Sequence, residues 1–189
     1  ECTIEHSEQF IDLLETWNVP LFLSGHLHVQ HCKRSEDNRG IWEMVTASLA
    51  TPSCKYAILT YRDDRSFLYR TQSLDVEAWA KKNQCTEEDL LNFKQFQTPF
   101  LRRVFYNQAI ASLNEVPELT DSEREQMAQL YSLLKFHYYQ GTAYQVQEPV
   151  RNDPAYELWQ EDGMATQQGE YFRYILEDGK RDYNRLEVN

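Results

Sequence analysis

Two histidines separated by one residue, His26 and His28, are the side chains of this sequence best suited to chemistry. They follow Gly25 and a short apolar run, Leu21 to Leu23, of the kind that forms a buried strand. If the strand alternation continued, both imidazoles would project from one side of the chain. Neutral imidazole binds several first-row metal ions, and a glycine lets the backbone approach an ion or a phosphate closely. The spacing therefore predicts half of a metal site, with His26 and His28 as ligands.

Other interpretations of the same residues stay open. Short motifs often arise without function, so the segment could be a plain turn in an unrelated α+β protein. Cys32 lies four residues after His28, where a soft-metal role is conceivable but not favoured. His31 is interpreted as a solvated loop residue. The four cysteines form no Cys-x-x-Cys pair and are expected to be free thiols rather than a disulfide framework: Cys2, Cys32, Cys54 and Cys85.

The elements that would position the histidines are a helix and several strands. Apolar residues at helical spacing predict an amphipathic helix over residues 5–17, which Pro20 separates from the strand at 21–24. Polar residues 31–40 predict a loop. Runs of β-branched and aromatic residues predict three more strands, the last two forming an antiparallel hairpin around a turn at 63–65: 41–46, 54–61 and 66–72.

After residue 74 the pattern becomes helical. Asp75 opens a helix with an acidic first turn, and Thr86 is the expected N-cap of the next. Another helix is expected to begin at Asp121 and to end at Gly141, a C-cap glycine. Shorter helices and a tail over 181–189 follow. The sequence therefore predicts two parts, residues 1–74 with the strands and residues 75–189 as a helical domain or extension.

Composition limits the class of protein. The chain is 41% hydrophobic and 13% aromatic, which allows a packed core. Its formal net charge of −11 repels phosphate backbones, so nucleic acid is not an expected partner. Neither a membrane-length apolar run nor a signal-peptide pattern occurs, which favours the cytoplasm without fixing the location.

Residues 22–28, Phe-Leu-Ser-Gly-His-Leu-His, resemble the last signature motif of the calcineurin-like metallophosphoesterases. Residues 40–49, which run into Thr-Ala-Ser-Leu, resemble the next strand and turn of that family. The resemblance implies an α+β fold, in detail the C-terminal part of an α/β/β/α sandwich of a helix and mainly antiparallel strands, followed by a helical region. It also implies a phosphatase or phosphodiesterase with two divalent metal ions (Mn, Fe or Zn), His26 binding one and His28 the other.

The earlier motifs of that family are absent, since no Gly-Asp or Gly-Asn pair occurs in the sequence. The chain also begins at Glu1, so it is expected to be the C-terminal piece of a longer hydrolase and inactive alone. Its expected partners are the missing N-terminal part and a phosphoester substrate, with self-association through exposed apolar surface as a hazard. The alternative is a non-enzymatic helical interaction or regulatory module.

Overall fold

The computed structural model describes residues 5–34 and 40–189. It is a mixed α+β structure, which confirms the broader fold prediction. Within the described residues the strands lie mostly in the first part of the chain: β1 Leu21–Ser24, β2 His31–Arg34, β3 Trp42–Val45, β4 Lys55–Tyr61, β5 Phe67–Ser73 and β6 Arg185–Val188. The finer expectation of an α/β/β/α sandwich stays a prediction.

Helices form most of the second part. The described helices are α1 Ser7–Thr16, α2 Val76–Lys82, α3 Glu88–Leu91, α4 Phe93–Leu113, α5 Asp121–Tyr139, α6 Gln147–Arg151, α7 Ala155–Glu161 and α8 Gln167–Asp178. Short 3₁₀ turns follow α5 and α7, over Ala143–Gln145 and Gly163–Ala165. The helix expected to open at Asp75 is present as α2, and the Asp75 carboxylate caps it by accepting a hydrogen bond from the Ala78 N–H. A capping box between Thr120 and Glu123 begins α5.

The strands form two three-stranded sheets. In the first sheet, which we call sheet A, the order is β1-β3-β2, and β1 runs parallel to β3 while β2 runs antiparallel to it. In sheet B the order is β4-β5-β6, with both pairs antiparallel. The pairing of Tyr61 with Phe67 and of Lys55 with Ser73 confirms the predicted hairpin.

Two hydrophobic clusters hold these elements. The larger lies among the helices, where the rings of Trp159 and Phe172 stack with their centroids 5.1 Å apart. The smaller lies at the sheets and contains Met44 from β3, Phe67 from β5 and Tyr183 from the segment before β6. Because Tyr183 and β6 come from the C-terminal end of the chain, that end completes the core of the strand-rich part.

The helical part and sheet B also share polar contacts. The Lys55 ammonium donates to the carbonyl of Gln140 and to Oδ1 of Asn184, each at 2.6 Å. Burial lowers the pKa of Lys55 to about 8, although the carboxylate of Asp182 acts in the other direction. The proposed division of the chain at residue 74 stays a prediction.

Three local expectations are corrected. Residues 31–34 form β2 and not a loop; residues 35–39, the rest of that expected loop, lie outside the described residues, as does Cys2. Thr86 does not cap a helix, because α3 begins at Glu88 after Glu87. The expected tail contains β6. Over the residues that the structure describes, no helix has both the length and the apolar character needed to cross a membrane.

Candidate functional site

The candidate site lies at one edge of sheet A. Because β1 and β3 are parallel, their last residues, Ser24 and Val45, are register partners at the same edge. β2 begins there too, with His31 opposite Val45. Residues 25–30 connect the end of β1 to the start of β2, so His26 and His28 lie at the carboxyl edge of the parallel pair. In open sheets of parallel strands this is the edge where ligands bind.

His26 lies at the apex of a tight turn. The Leu27 N–H donates to the Gly25 carbonyl at 3.0 Å, and the φ of His26 is 77°. A two-residue hydrogen bond around a residue of positive φ defines the rarer, strained type of γ-turn. His28 also has a positive φ, 57°. The extended alternation from which we expected both imidazoles on one side is therefore absent, and a turn presents them instead.

Both imidazoles are exposed to solvent, as are Gly25 and Leu27. Gly25 is not in the left-handed region, and a Cβ atom added to it would meet nothing within 4 Å. Neither backbone conformation nor packing among the described residues therefore requires a glycine at this position. Its effect is to leave open space beside the γ-turn, where a ligand or another segment of protein can approach the backbone.

A network of buried polar groups lies beneath this turn. Gln30 is fully buried, and its Nε2 atom lies 3.0 Å from Oη of Tyr69 and 2.8 Å from the carbonyl oxygen of Tyr183. Its Oε1 atom accepts a hydrogen bond from the Ala47 N–H at 3.3 Å. Tyr69 Oη also lies 2.9 Å from Oγ1 of Thr46. Burial raises the pKa of Tyr69, although its hydrogen bonds act in the opposite direction, so the phenol stays protonated and neutral.

His31 does not belong to the exposed part of the site. It is 7% exposed, and its Nε2 atom lies 2.7 Å from Oδ2 of Asp178 at the end of α8. Its ring also packs against Tyr183, with centroids 4.4 Å apart. Nearby, the Arg181 guanidinium donates to the Cys32 carbonyl at 2.6 Å. The solvated-loop interpretation of His31 is therefore wrong, and the residue joins β2 to the helical part.

Two other side chains of types that bind metals, Cys32 and His137, lie elsewhere. Cys32 is buried, and desolvation raises its pKa to about 12, which disfavours the thiolate that a metal would need. His137 is half-buried and bonded through Nδ1 to Thr142 Oγ1 at 3.0 Å. A cavity of about 440 Å³ opens at the other end of β1, near Pro20 and Tyr61, and contains no histidine.

Sequence reasoning missed the buried members of this site, Gln30, Tyr69 and Tyr183. No local pattern marks them, because they lie far apart in the chain and meet only through the sheets. Gly141 was found as a helix C-cap, and the structure adds that a Cβ atom there would lie 2.7 Å from Cγ of Gln30. The glycine thus allows close contact between the end of α5 and the Gln30 segment.

The fold and site define an α+β protein in which a turn with two exposed histidines connects β1 to β2, and in which α5 contacts Gln30, two residues after that turn. A family model described as the C-terminal domain of cyclic nucleotide phosphodiesterase matches residues 75–182, more than half of the 189 residues. The chain belongs to this family and is therefore related to phosphodiesterases. A comparison with curated proteins finds no match.

This result corrects two expectations. The family is that of the cyclic nucleotide phosphodiesterase C-terminal domain, so the assignment to the calcineurin-like metallophosphoesterases is wrong. The expected cofactor of two divalent metal ions was implied by that assignment and is wrong with it. In residues 5–34 and 40–189, no three His, Cys, Asp or Glu side chains form a group that could hold a metal ion. A binding role for His26 and His28 stays a prediction.

Proposed function

We propose that this chain is the C-terminal part of a phosphoester hydrolase related to the phosphodiesterases, and that residues 24–28 form part of its phosphoester site. The observation that carries the proposal is the strained γ-turn at His26, followed by the positive φ of His28, at the carboxyl edge of β1. Residues held in sparsely populated backbone conformations cost about 1–3 kcal/mol each and cluster at active sites and ligand clamps, where the surrounding structure holds them in place.

The chemistry of imidazole fits such a site. When water hydrolyses a phosphoester, its oxygen forms a bond to phosphorus, the ester P–O bond breaks, and the leaving oxygen takes a proton. A protonated imidazole can donate that proton or hydrogen-bond a phosphoryl oxygen, and a neutral imidazole can accept a proton from the water. We assign His26 and His28 to these contacts, and the open space at Gly25 to the approach of the phosphoryl group.

The test replaces each histidine by alanine in the natural protein that contains these residues. Hydrolysis of a bis-aryl phosphodiester and of an aryl phosphate should fall by a factor of about 100 or more for His26→Ala and His28→Ala, the effect of losing a general acid or base. His6→Ala is a matched control, since His6 is also exposed and also has a positive φ, 61°, but lies before α1. Unchanged hydrolysis in the His26 and His28 variants would exclude the assignment.

We also propose that another part of the same protein covers the outer edge of β1. Within the described residues β1 pairs with β3 alone. Leu23 in β1 and Trp17, which precedes β1 in the chain, are 54% and 73% exposed. Exposed apolar side chains next to an unpaired strand are a typical docking surface. Amide hydrogen exchange at residues 21–24 should therefore slow in a longer natural form of the chain; equal exchange in both forms would contradict the proposal.

A second candidate function is a helical interaction or regulatory module. It is favoured by exposed apolar side chains in the helical part, chiefly Trp79 and Phe100, which are 55% and 46% exposed. If these residues mediate self-association, sedimentation velocity should show concentration-dependent dimers that Trp79→Ser and Phe100→Ser abolish. A monomer at all concentrations would exclude self-association through these residues and would leave the hydrolase proposal unaffected.

A further inference from the structure

Gln30 connects three separate segments of the chain. It lies two residues after His28, and its side chain bonds the turn after β3 through Ala47. The same side chain donates to the Tyr183 carbonyl at 2.8 Å. Its own backbone N–H donates to the Tyr139 carbonyl at the end of α5, at 3.2 Å. The family domain, residues 75–182, therefore contacts Gln30 at its main chain, and the Gln30 side chain bonds Tyr183, the residue that directly follows the matched range.

The carboxamide is required in one orientation. Nε2 faces the Tyr183 carbonyl, which can only accept, and Oε1 faces the Ala47 N–H, which can only donate. With Gln30 fully buried, no water replaces a bond that is lost. An apolar side chain of similar length would leave both the carbonyl and the N–H without these partners, so the amide fixes the relative position of the two segments.

The end of α5 is packed tightly against the same residue. Gly141 has a φ of 71°, and an added Cβ atom would lie 2.7 Å from Gln30 Cγ and 3.1 Å from the Gln30 carbonyl oxygen. The Gly141 carbonyl in turn accepts a hydrogen bond from the Tyr183 N–H at 3.0 Å. Movement of the helical part at this point would therefore move Gln30 directly.

We propose that Gln30 is a positioning residue that fixes the histidine turn, residues 25–28, to the cyclic nucleotide phosphodiesterase-type C-terminal domain. The turn itself is exposed, so its geometry depends on how its two ends are held. β1 holds one end, and the Gln30 network of Tyr69, Ala47, Tyr139 and Tyr183 holds the other. The expected effect of Gln30 on activity rests on the proposed hydrolase function, whereas its expected effect on the geometry of the histidine turn does not.

The experiment compares Gln30→Met with Gln147→Met in the 189-residue chain. Gln147 is a matched control, because its Nε2 atom also donates to two backbone carbonyls, those of Ile175 and Gly179, but within the helical part alone. The readout is the NMR signals of the histidine rings, with His6 as an internal reference. Gln30→Met should shift or broaden the His26 and His28 signals and leave His6 unchanged, whereas Gln147→Met should move none of the three.

Tyr69→Phe provides a milder variant in case Gln30→Met does not fold. It removes one hydroxyl from the Gln30 network and keeps the buried ring, so it should move the same two sets of signals in a folded chain. Unchanged His26 and His28 signals in a folded Gln30→Met or Tyr69→Phe variant would overturn the proposal, and so would equal shifts in Gln147→Met.

Hydrolysis by the natural protein separates this inference from the proposed function. If Gln30 positions the histidine turn and the turn acts in hydrolysis, Gln30→Met should lower turnover on the order of tenfold or more, because small misplacements of reacting groups slow the reaction strongly. If Gln30→Met shifts the histidine signals while His26→Ala and His28→Ala hydrolyse normally, positioning by Gln30 is supported and the phosphoester function fails. If all three variants hydrolyse normally and the signals do not move, both fail.

Discussion

Lys135 should make the stability of this chain depend on pH in the alkaline range. It is 7% exposed, and its ammonium donates to Gln108 Oε1 and to Tyr131 Oη, both at 2.9 Å. The rings of Phe105, Tyr131 and Tyr171 surround it with centroids 4.8–5.1 Å from Nζ. Among the described residues no carboxylate pairs with it. Burial therefore lowers its pKa from 10.5 to about 8.

Proton linkage gives the sign and the magnitude of the contribution of Lys135 to the free energy of unfolding. Between pH 8 and 10.5 the unfolded chain keeps the Lys135 proton while the folded chain loses it, so the free energy of unfolding rises with pH. Each unit of pKa shift corresponds to about 1.4 kcal/mol. From pH 7 to pH 10, Lys135 should add about 2.5 kcal/mol to the stability of the folded state. Above pH 10 the buried tyrosines, whose pKa values burial raises, act in the opposite direction.

The assay is urea denaturation at pH 7 and at pH 10 for the wild type, Lys135→Met and Lys82→Met. Lys55 also has a lowered pKa and contributes to all three proteins, so only differences between them are informative. The stability of the wild type relative to Lys135→Met should increase by about 2–3 kcal/mol from pH 7 to pH 10. Lys82 is exposed, and its variant should follow the wild type. Parallel behaviour of Lys135→Met and wild type would refute a perturbed buried ammonium.

Three further substitutions test the site and its support. Gly25→Ala should change the free energy of unfolding by less than about 1 kcal/mol, since the added methyl meets open space, yet it should lower phosphodiester hydrolysis by the natural protein. Gly141→Ala should destabilise the chain by about 1–3 kcal/mol, because the alanine must adopt a φ of 71° and press against Gln30; a thermal melt unchanged from wild type would contradict this close packing. His31→Ala should cost about 1–3 kcal/mol in urea denaturation by leaving the half-buried Asp178 carboxylate without its partner, and equal stability would show that this pair contributes nothing.

Elements that depend on neighbours in the sequence were predicted well. The hairpin of β4 and β5 follows from two strand-forming runs with a short polar turn between them, and all seven of its register pairs involve nearby residues. The end of α5 at Gly141 follows from the need for a residue that accepts positive φ. Such features are local, so their signals are contained in a few consecutive residues.

Elements that depend on distant partners were not predicted. The β2 sequence, His-Cys-Lys-Arg, has the polarity of a loop, but its pairing with β3 and the contact of His31 with Asp178 make it a strand. β6 likewise forms because β5 offers a free edge more than a hundred residues earlier in the chain. Thr86 and Thr120 carry similar capping patterns, and only Thr120 caps a helix. At β2 and β6, tertiary contacts override local preference.

For the candidate site, the sequence by itself determined the residues with chemical potential, Gly25, His26 and His28, and their place after an apolar strand. Only the tertiary structure decided how they are presented. The γ-turn replaces strand alternation, and the Gln30 network ties the turn to the family domain. The physical reason is that residue type and spacing limit what a site can do, while its geometry depends on the pairing of strands and the satisfaction of buried polar groups that lie far apart in the sequence.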